Sequence, residues 1–450
     1  MKLISPTMFF KRISLIILFA SATIVSKGQQ RTQLDSVLTL QQCVDIAIQN
    51  NLSVKRSETQ MEKDRVYWNQ ARENLLPTLN AGAGYGISFG RGTDNTGVIV
   101  DAAQTNSAGF SASSNLLLFN GLSAINNIKQ NSLAYQAGKM DFQQVKDETT
   151  LNIIALYFAV LNSEDQLSQA RLQAEYSKAN LDRESELNSK GAVAPAEYYN
   201  IKGSHNADQI NVYNAQTAVL TAKINLLQAM NVAFDKNMEV EKLEASKTPS
   251  VYAQSKEDIY STALSSLAMV KAADLRVRAA EKEVSVARGR LFPTLTLSGN
   301  YQTSYANNSP GSFSTQFKQN KYYGPSLNLS IPILNYFQNH NNVKLAKLDL
   351  KDAQDNNYST KVQLKQQIDQ AHANMLNAYD RLQVLGQQVE TYQASYEATK
   401  AKFDAGVITS DLFVIAKNNL DAANVNLINA RYDYMIRTKI LDYYQGKLSF

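Results

Sequence analysis

The sequence predicts a mixed, mainly α fold: long antiparallel coiled-coil helices forming an α-barrel, joined to four β-strands and built as an internal tandem repeat. Three observations predict it. Proline-free stretches of helical periodicity run to about 68 residues, four segments alternate with a period of two, and landmarks recur at a nearly fixed offset. Leu75-Leu76-Pro77-Thr78-Leu79 returns as Leu291-Phe292-Pro293-Thr294-Leu295 after 216 residues, while Asn120 returns as Asn335 and Gly191 as Gly406 after 215. Proline lacks the N–H of a helix interior, so Pro77 and Pro293 each mark a helix-to-strand junction.

Residues 1–28 place Lys2, Lys11 and Arg12 before an apolar run from Ile13 to Val25, the layout of a secretory signal peptide cleaved near Gly28. From Leu40 to Leu76 the spacing predicts one helix with Cys43 on its apolar stripe. One cysteine in the chain permits no internal disulfide, and a buried free thiol is expected there. After Pro77, Leu79, Ala81, Ala83, Tyr85, Ile87 and Phe89 alternate with Asn80, Gly82, Gly84, Gly86 and Ser88, giving one apolar and one small or polar face. A polar loop follows. A second strand then sets Phe110, Ala112, Ser114, Leu116 and Leu118 against Ser111, Ser113, Asn115 and Leu117, ending at Asn120-Gly121.

Ser123 to Lys190 reads as one helix on the order of 100 Å long at 1.5 Å per residue, with coiled-coil spacing. Gly191 suits its left-handed C-terminal cap, and Pro195 opens a return helix to about Met230. These elements fill a first repeat, 29–233. A polar connector, 234–256, with Lys242, Lys247, Pro249 and Ser250, leads to a second repeat, 257–450. There the order recurs: a helix from Ile259 to Arg290, strands from Leu295 to Tyr305 and Tyr323 to Ile333, a long helix from about Phe337 to Phe403, and a last helix from Ser410 to Gln445.

The formal charge is +5, but four basic and no acidic residues lie in the first 28, which leaves about +1 and no electrostatic case for nucleic acid. Beyond the signal no apolar run is long enough for a spanning helix, so membrane entry requires strands. Each strand presents an apolar face over roughly 10 to 13 residues, enough to cross a bilayer when tilted. Four strands cannot close a barrel, since small barrels need about eight, so copies must pool theirs. Tyr85, Phe89, Tyr301, Tyr305, Tyr322 and Tyr323 would suit one interfacial girdle, and Phe119, Phe292 and Phe337 the other. The alternative reading is a periplasmic coiled-coil scaffold without a channel, whose strands only cap its helices.

The chain resembles the TolC-type outer-membrane efflux proteins. The matching residues are Leu38-Thr39-Leu40-Gln41-Gln42-Cys43-Val44-Asp45-Ile46-Ala47 with Asn50-Asn51, both Pro-Thr-Leu strand openings, and Leu118-Phe119-Asn120-Gly121 with its repeat Ser330-Ile331-Pro332-Ile333-Leu334-Asn335. Ala430-Arg431-Tyr432-Asp433-Tyr434 and Gly446-Lys447-Leu448 complete the match, which spans essentially the whole mature chain. The resemblance implies a homotrimer in outer-membrane lipid, with a 12-stranded transmembrane β-barrel and an α-helical tunnel through the periplasm. It also implies docking to a periplasmic adaptor, or membrane fusion protein, that joins an inner-membrane pump. The hairpin tips that meet the adaptor in that family map to Lys190, Gly191, Ala192 and Val193, and to Ala405, Gly406, Val407 and Ile408. Some members place gating aspartates six and nine residues after the second-tip glycine. Here Leu412 and Ile415 stand at those positions and Asp411 one residue off, so these three are the candidate gate: a ring of Leu412 side chains could close it by apolar packing, the alternative being that Leu412 and Ile415 only pack between helices.

Chemistry-bearing patterns are absent from the sequence. His205, His340 and His372 lie in different segments without metal-ligand spacing and are expected on helix surfaces. Glu184 with Glu186 and Asp352 with Asp355 look like ordinary solvated carboxylates. No phosphate loop or nucleophile elbow occurs, so neither cofactor nor enzyme activity is expected.

Overall fold

The computed structural model describes residues 37–93, 98–101, 104–242 and 252–447. The expected signal peptide lies outside the described residues, as do Lys247, Pro249 and Ser250 of the connector.

Four helices occur twice at identical length. The first repeat holds α1 (Leu40–Asn50), α2 (Leu52–Glu73), α3 (Ser123–Ser189) and α4 (Pro195–Ala229), of 11, 22, 67 and 35 residues. The second holds α5 (Lys256–Ser266), α6 (Ala268–Gly289), α8 (Gln338–Asp404) and α9 (Ser410–Tyr444), again of 11, 22, 67 and 35 residues. Between α6 and α8 lies α7 (Phe313–Gln319), a short helix that periodicity did not reveal.

The single helix expected from Leu40 to Leu76 is broken at Asn51. That residue is extended (φ −60°, ψ 132°), its side-chain oxygen accepts from the Ser53 and Val54 N–H groups, and its Nδ2 donates to the Ala229 carbonyl at 2.9 Å. An asparagine offers the backbone a local partner that competes with the helix ladder, and here it restarts the helix on a new axis. The helix expected from Ile259 to Arg290 breaks likewise at Leu267 (φ −69°, ψ 136°) and begins earlier, at Lys256, capped by Ser255.

The connector is also more ordered than its polarity suggests. β6 (Glu239–Val240) pairs in parallel with β1 (Val37–Leu38), and the Tyr157 hydroxyl lies 3.2 Å from the Leu38 carbonyl and 2.7 Å from that of Glu241. Met238 and Val240 thereby join Cys43, Val44, Ile154, Phe158 and Leu226 in the main core, where coiled-coil surfaces of α3, α4 and α9 meet α1. A second core joins α5 and α6 to α8 and α9 through Ile259, Leu267, Leu364, Met375, Tyr434 and Leu441.

The strands β2 (Asn80–Ser88), β5 (Thr105–Asn120), β7 (Thr294–Ala306) and β8 (Tyr322–Ser330) form one antiparallel sheet in the order β2-β5-β7-β8. A separate minimal ladder joins β3 (Gly92–Thr93) to β4 (Ile99–Val100). Register carries the apolar residues to a single face: Ala83 opposes Phe110, Leu116 opposes Leu297, and Leu297 opposes Leu327. A register shift between Leu117 and Phe119 makes Leu118 an extra residue, so Phe119, opposite Leu295, stays with Leu116 on the apolar face. Strict alternation had put Leu118 there. Tyr322 opposes Gln302 and so stands on the polar face rather than in a lipid-side girdle. The last strand ends at Ser330, short of the expected Ile333, where Pro332 supplies no ladder donor.

Candidate conduit, junctions and hairpin tips

The apolar face of the sheet is open. Ala83, Tyr85, Leu327 and Leu329 are exposed on it, and beneath it Gly82, Ser111, Ser113, Asn300 and Ser298 make the opposite face small and uncharged. Among the described residues no helix is long and apolar enough to cross a membrane. An apolar outer face over a polar inner face is the arrangement of a strand between lipid and a water-filled lumen.

Sheet and helices join at two turns that reverse the chain sharply. At the first, Gly121 (φ 64°) and Leu122 (φ 64°) are both left-handed, and Asn120 Oδ1 accepts from the Ala124 N–H at 3.1 Å, capping α3. At the second, after Asn335, Tyr336 (φ 53°) and Phe337 (φ 58°) take the same conformation without a glycine. Pro77 and Pro293 sit between the end of α2 or α6 and the following strand, and Thr78 anchors the first junction by donating its N–H to the Asn115 carbonyl at 2.9 Å. Gly289 at the end of α6 lets the backbone pass close to Gly121: a Cβ there would stand 2.8 Å from the Gly121 carbonyl oxygen.

At the far end of the helices the two hairpin tips lie side by side. Gly191 (φ 69°) and Gly406 (φ 70°) are left-handed caps, with Ala192 N–H donating to Leu187 and Val407 N–H to Lys402, the Schellman pattern. Both glycines have open space around them, and Lys190, Ala192, Ala405 and Val407 are exposed, while Val193 and Ile408 are half-buried. Just inside the tips Phe403 and Phe413 stack at 4.7 Å with Ile201 against them. The candidate gate residues separate: Asp411 accepts from Asn200 Nδ2 at 2.7 Å, whereas Leu412 and Ile415 remain exposed.

A partly buried polar ladder ties the two hairpins together, and sequence reading missed it. Arg183 on α3 pairs with Asp404 of α8 and with Glu184. Lys417 on α9 is 5% exposed and binds Asp208 of α4 at 3.0 Å and Asp421 at 2.7 Å. Burial pushes the Lys417 pKa down, but Asp421 and Asp208 outweigh it and hold the ammonium above its ordinary value. His205 is buried rather than on the surface, since its Nδ1 meets Ser177 Oγ at 3.0 Å and its Nε2 meets Gln209 Nε2 at 3.0 Å. A Gln209 amide donating to Nε2 leaves the proton on Nδ1. Glu184, expected to be solvated, is buried as well. The signal was available: Lys417 shares a stripe with Phe413 and Leu420, and His205 and Asp208 share one with Ile201. Charge inside an apolar stripe needs a partner. Among the described residues no group of three or more His, Cys, Asp and Glu is placed to hold a metal ion.

The sequence profile of the family described as "Outer membrane efflux protein" matches residues 43–232 and 259–446. The chain belongs to the outer membrane efflux protein family. The two matched blocks coincide with the two structural repeats. Outer membrane protein TolC of Escherichia coli is 28% identical over 384 residues, covering 82% of this chain and 74% of TolC. Solved structures of similar fold include CusC, with a TM-score of 0.76 at 16% identity over 90% of this chain and 91% of that one. They also include the CmeC outer membrane channel of Campylobacter jejuni, with a TM-score of 0.73 at 18% identity over 91% and 86%. This outer membrane efflux protein thus carries its sheet in the outer membrane and its long helices in the periplasm. The family is one of channels rather than an enzyme class.

Proposed function

We propose that three copies of this chain close a shared barrel and tunnel, forming the exit duct of a tripartite efflux or type I secretion system. Substrates would pass from an inner-membrane pump, through a periplasmic adaptor seated on the tips at Lys190–Val193 and Ala405–Ile408, to the exterior. The observation that carries this reading is the pair of free sheet edges. Successive strands alternate in direction, so β2 and β8 run oppositely, and β8 of one copy can accept β2 of the next in an antiparallel ladder. Three copies supply 12 strands, an even number that closes without an edge. Both long helices have 67 residues, about 100 Å at 1.5 Å per residue, so the helices of three copies would continue the lumen far into the periplasm.

In this assembly the exposed Leu412 and Ile415 face the narrow end and close it by apolar contact and dewetting. Adaptor binding opens it by favouring the open state. The test is charge placement on the sheet. Ala83→Lys or Leu329→Lys, each on the apolar face, should abolish recovery of heat-modifiable trimers from the outer membrane, because lysine at the bilayer midplane costs about 2–4 kcal/mol. Normal trimer recovery from both variants, or a wild-type protein isolated as a soluble periplasmic monomer, would return the chain to the scaffold reading.

A further inference from the structure

We infer that the outer rim of the sheet carries a binding site for the phosphorylated glycolipid of the outer leaflet, mounted on α7, with Lys318 and Lys321 taking the lipid phosphates. The site rests on the reading above that the apolar face of the sheet meets lipid. Thr303 of β7 opposes Phe110 of β5, and Phe110 opposes Ala83 of β2, so Thr303 belongs to that apolar face. Its Oγ1 donates to the Phe317 carbonyl of α7 at 2.8 Å, and the ring of Tyr305, two residues further along the same face, lies 5.1 Å from that of Phe313. α7 is therefore packed on the lipid side of the sheet.

Its height follows from the strand. β7 starts at the helix junction with Thr294, and Thr303 lies nine residues further on. That is about 30 Å of strand, or about 23 Å of height at a tilt of about 40°, close to the roughly 25 Å apolar band of an outer-membrane barrel. The long helices run in the periplasm, so this end of the sheet meets the outer leaflet. A helix of seven residues does not hold itself together in water, and α7 is pinned. Gln316 is 3% exposed; its Nε2 donates to the Ala306 and Ser309 carbonyls at 2.9 Å, and its Oε1 accepts from the Ala306 N–H at 3.0 Å. Asn320 Nδ2 donates to the Ser304 carbonyl at 2.9 Å. The backbone is thus fixed just before each lysine, while Lys318 and Lys321 are both exposed.

Charge identifies the occupant. Between Glu283 and Asp349 the sequence has no carboxylate and six cations: Arg288, Arg290, Lys318, Lys321, Lys344 and Lys347. Four of them stand at the helix end of the sheet, and only Lys318 and Lys321 stand at the outer rim. Neither forms an ion pair among the described residues. In the neighbouring loop Asp101 is held by Arg91 at 2.9 Å, and Asp94 lies outside the described residues. The first repeat has no counterpart of the site, since Ala103 and Asn106 stand 215 residues before the two lysines. Tyr323 is exposed beside Lys321 on the apolar face, stacked on Tyr301, and lysine beside exposed aromatic rings is the chemistry of a bilayer interface. Two cations without a carboxylate, above an apolar surface, fit a ligand that brings acyl chains to the sheet and phosphate to the ammonium groups. In the outer leaflet that ligand is the phosphorylated glycolipid.

The test is native mass spectrometry of the full-length protein, purified in detergent, stripped of lipid and titrated with phosphorylated lipid A. Lys318→Gln with Lys321→Gln should bind roughly ten-fold more weakly than the parental protein, whereas Lys318→Arg with Lys321→Arg should bind like it. Lys55→Gln with Lys365→Gln removes the same charge from exposed positions on the periplasmic helices and should change nothing. Dephosphorylated lipid A should not distinguish the parental protein from the glutamine pair. Gln316→Leu frees α7 with both lysines intact and should also weaken binding; should it misfold, Thr303→Val, which removes one bond to α7, replaces it. Undiminished binding by the glutamine pair, equal loss in the periplasmic pair, equally tight binding of phosphatidylglycerol, or displacement of lipid A by inorganic phosphate overturns the inference. Failure of the lipid-facing reading is seen separately, in parental protein recovered outside the outer-membrane fraction.

Discussion

Gly121 and Gly191 adopt nearly the same left-handed conformation, yet substitution should separate them. Gly191 faces open space, so Gly191→Ala meets only the backbone preference of an L-residue, about 1 kcal/mol. At Gly121 an added Cβ would collide with the Gly289 carbonyl and Phe292, and Gly121→Ala should cost roughly 2–4 kcal/mol, read as a lower midpoint in denaturant unfolding of the detergent-solubilised protein. Equal costs would mean the junction relaxes freely. The same logic of surroundings governs Cys43. Burial with no exposed surface pushes its thiol pKa up to about 12, so it should resist a thiol reagent at pH 8 and react only after unfolding. Rapid modification of the folded protein would contradict the packing of α1 on α3. Cys43 was readable from sequence because its neighbours Leu40, Val44 and Ala47 share its stripe. The contact between Gly121 and Gly289 was not, because it joins residues 168 apart whose closeness depends on how two junctions are folded.

Helix lengths and ends were largely legible, since Pro77, Pro195 and Pro293 interrupt backbone hydrogen bonding and Gly191 and Gly406 permit the left-handed cap. The breaks at Asn51 and Leu267 were not. Each is a single extended residue, held at Asn51 by a bond to Ala229 from a distant helix, and apolar spacing continues on both sides. The polar ladder between hairpins was hidden for a related reason: Lys417 and Asp208 are 209 residues apart, and either alone reads as surface charge. Their energetics depend on removal of one partner or of all. Lys417→Met alone leaves Asp208 and Asp421 without their cation and should destabilise the folded protein by about 3–5 kcal/mol. Lys417→Met with Asp208→Leu and Asp421→Asn removes the buried charges together and should restore most of the loss. Thermal unfolding of the two variants in detergent checks the order. A triple variant weaker than the single one would mean the ladder stabilises by more than avoiding stranded charge.

The repeat has its largest consequence in the proposed trimer, where two repeats per chain and three chains would give six similar units around one axis. The register inside the chain then fixes the register between chains. Within a copy Ser114 of β5 opposes Gly299 of β7. Advanced by 215 and set back by 216, these become Leu329 of β8 and Ala83 of β2, so Leu329 should lie opposite Ala83 of the next copy. Directly opposed antiparallel residues have Cα atoms about 4.5–5.5 Å apart, within disulfide reach, whereas a partner two residues off register is about 7–8 Å away. Ala83→Cys with Leu329→Cys, oxidised in outer membranes, should therefore give dimers and trimers on non-reducing gels. Ala83→Cys with Leu327→Cys, where Leu327 is expected opposite Tyr85, should link poorly. Both positions lie on the apolar face and accept a membrane-soluble oxidant, and the buried Cys43 supplies little background. Preferential linking of the second pair would shift the seam by two residues and with it every counterpart drawn from β5 and β7. Failure of both pairs in a protein that still runs as a trimer would show that the strands close by another pairing.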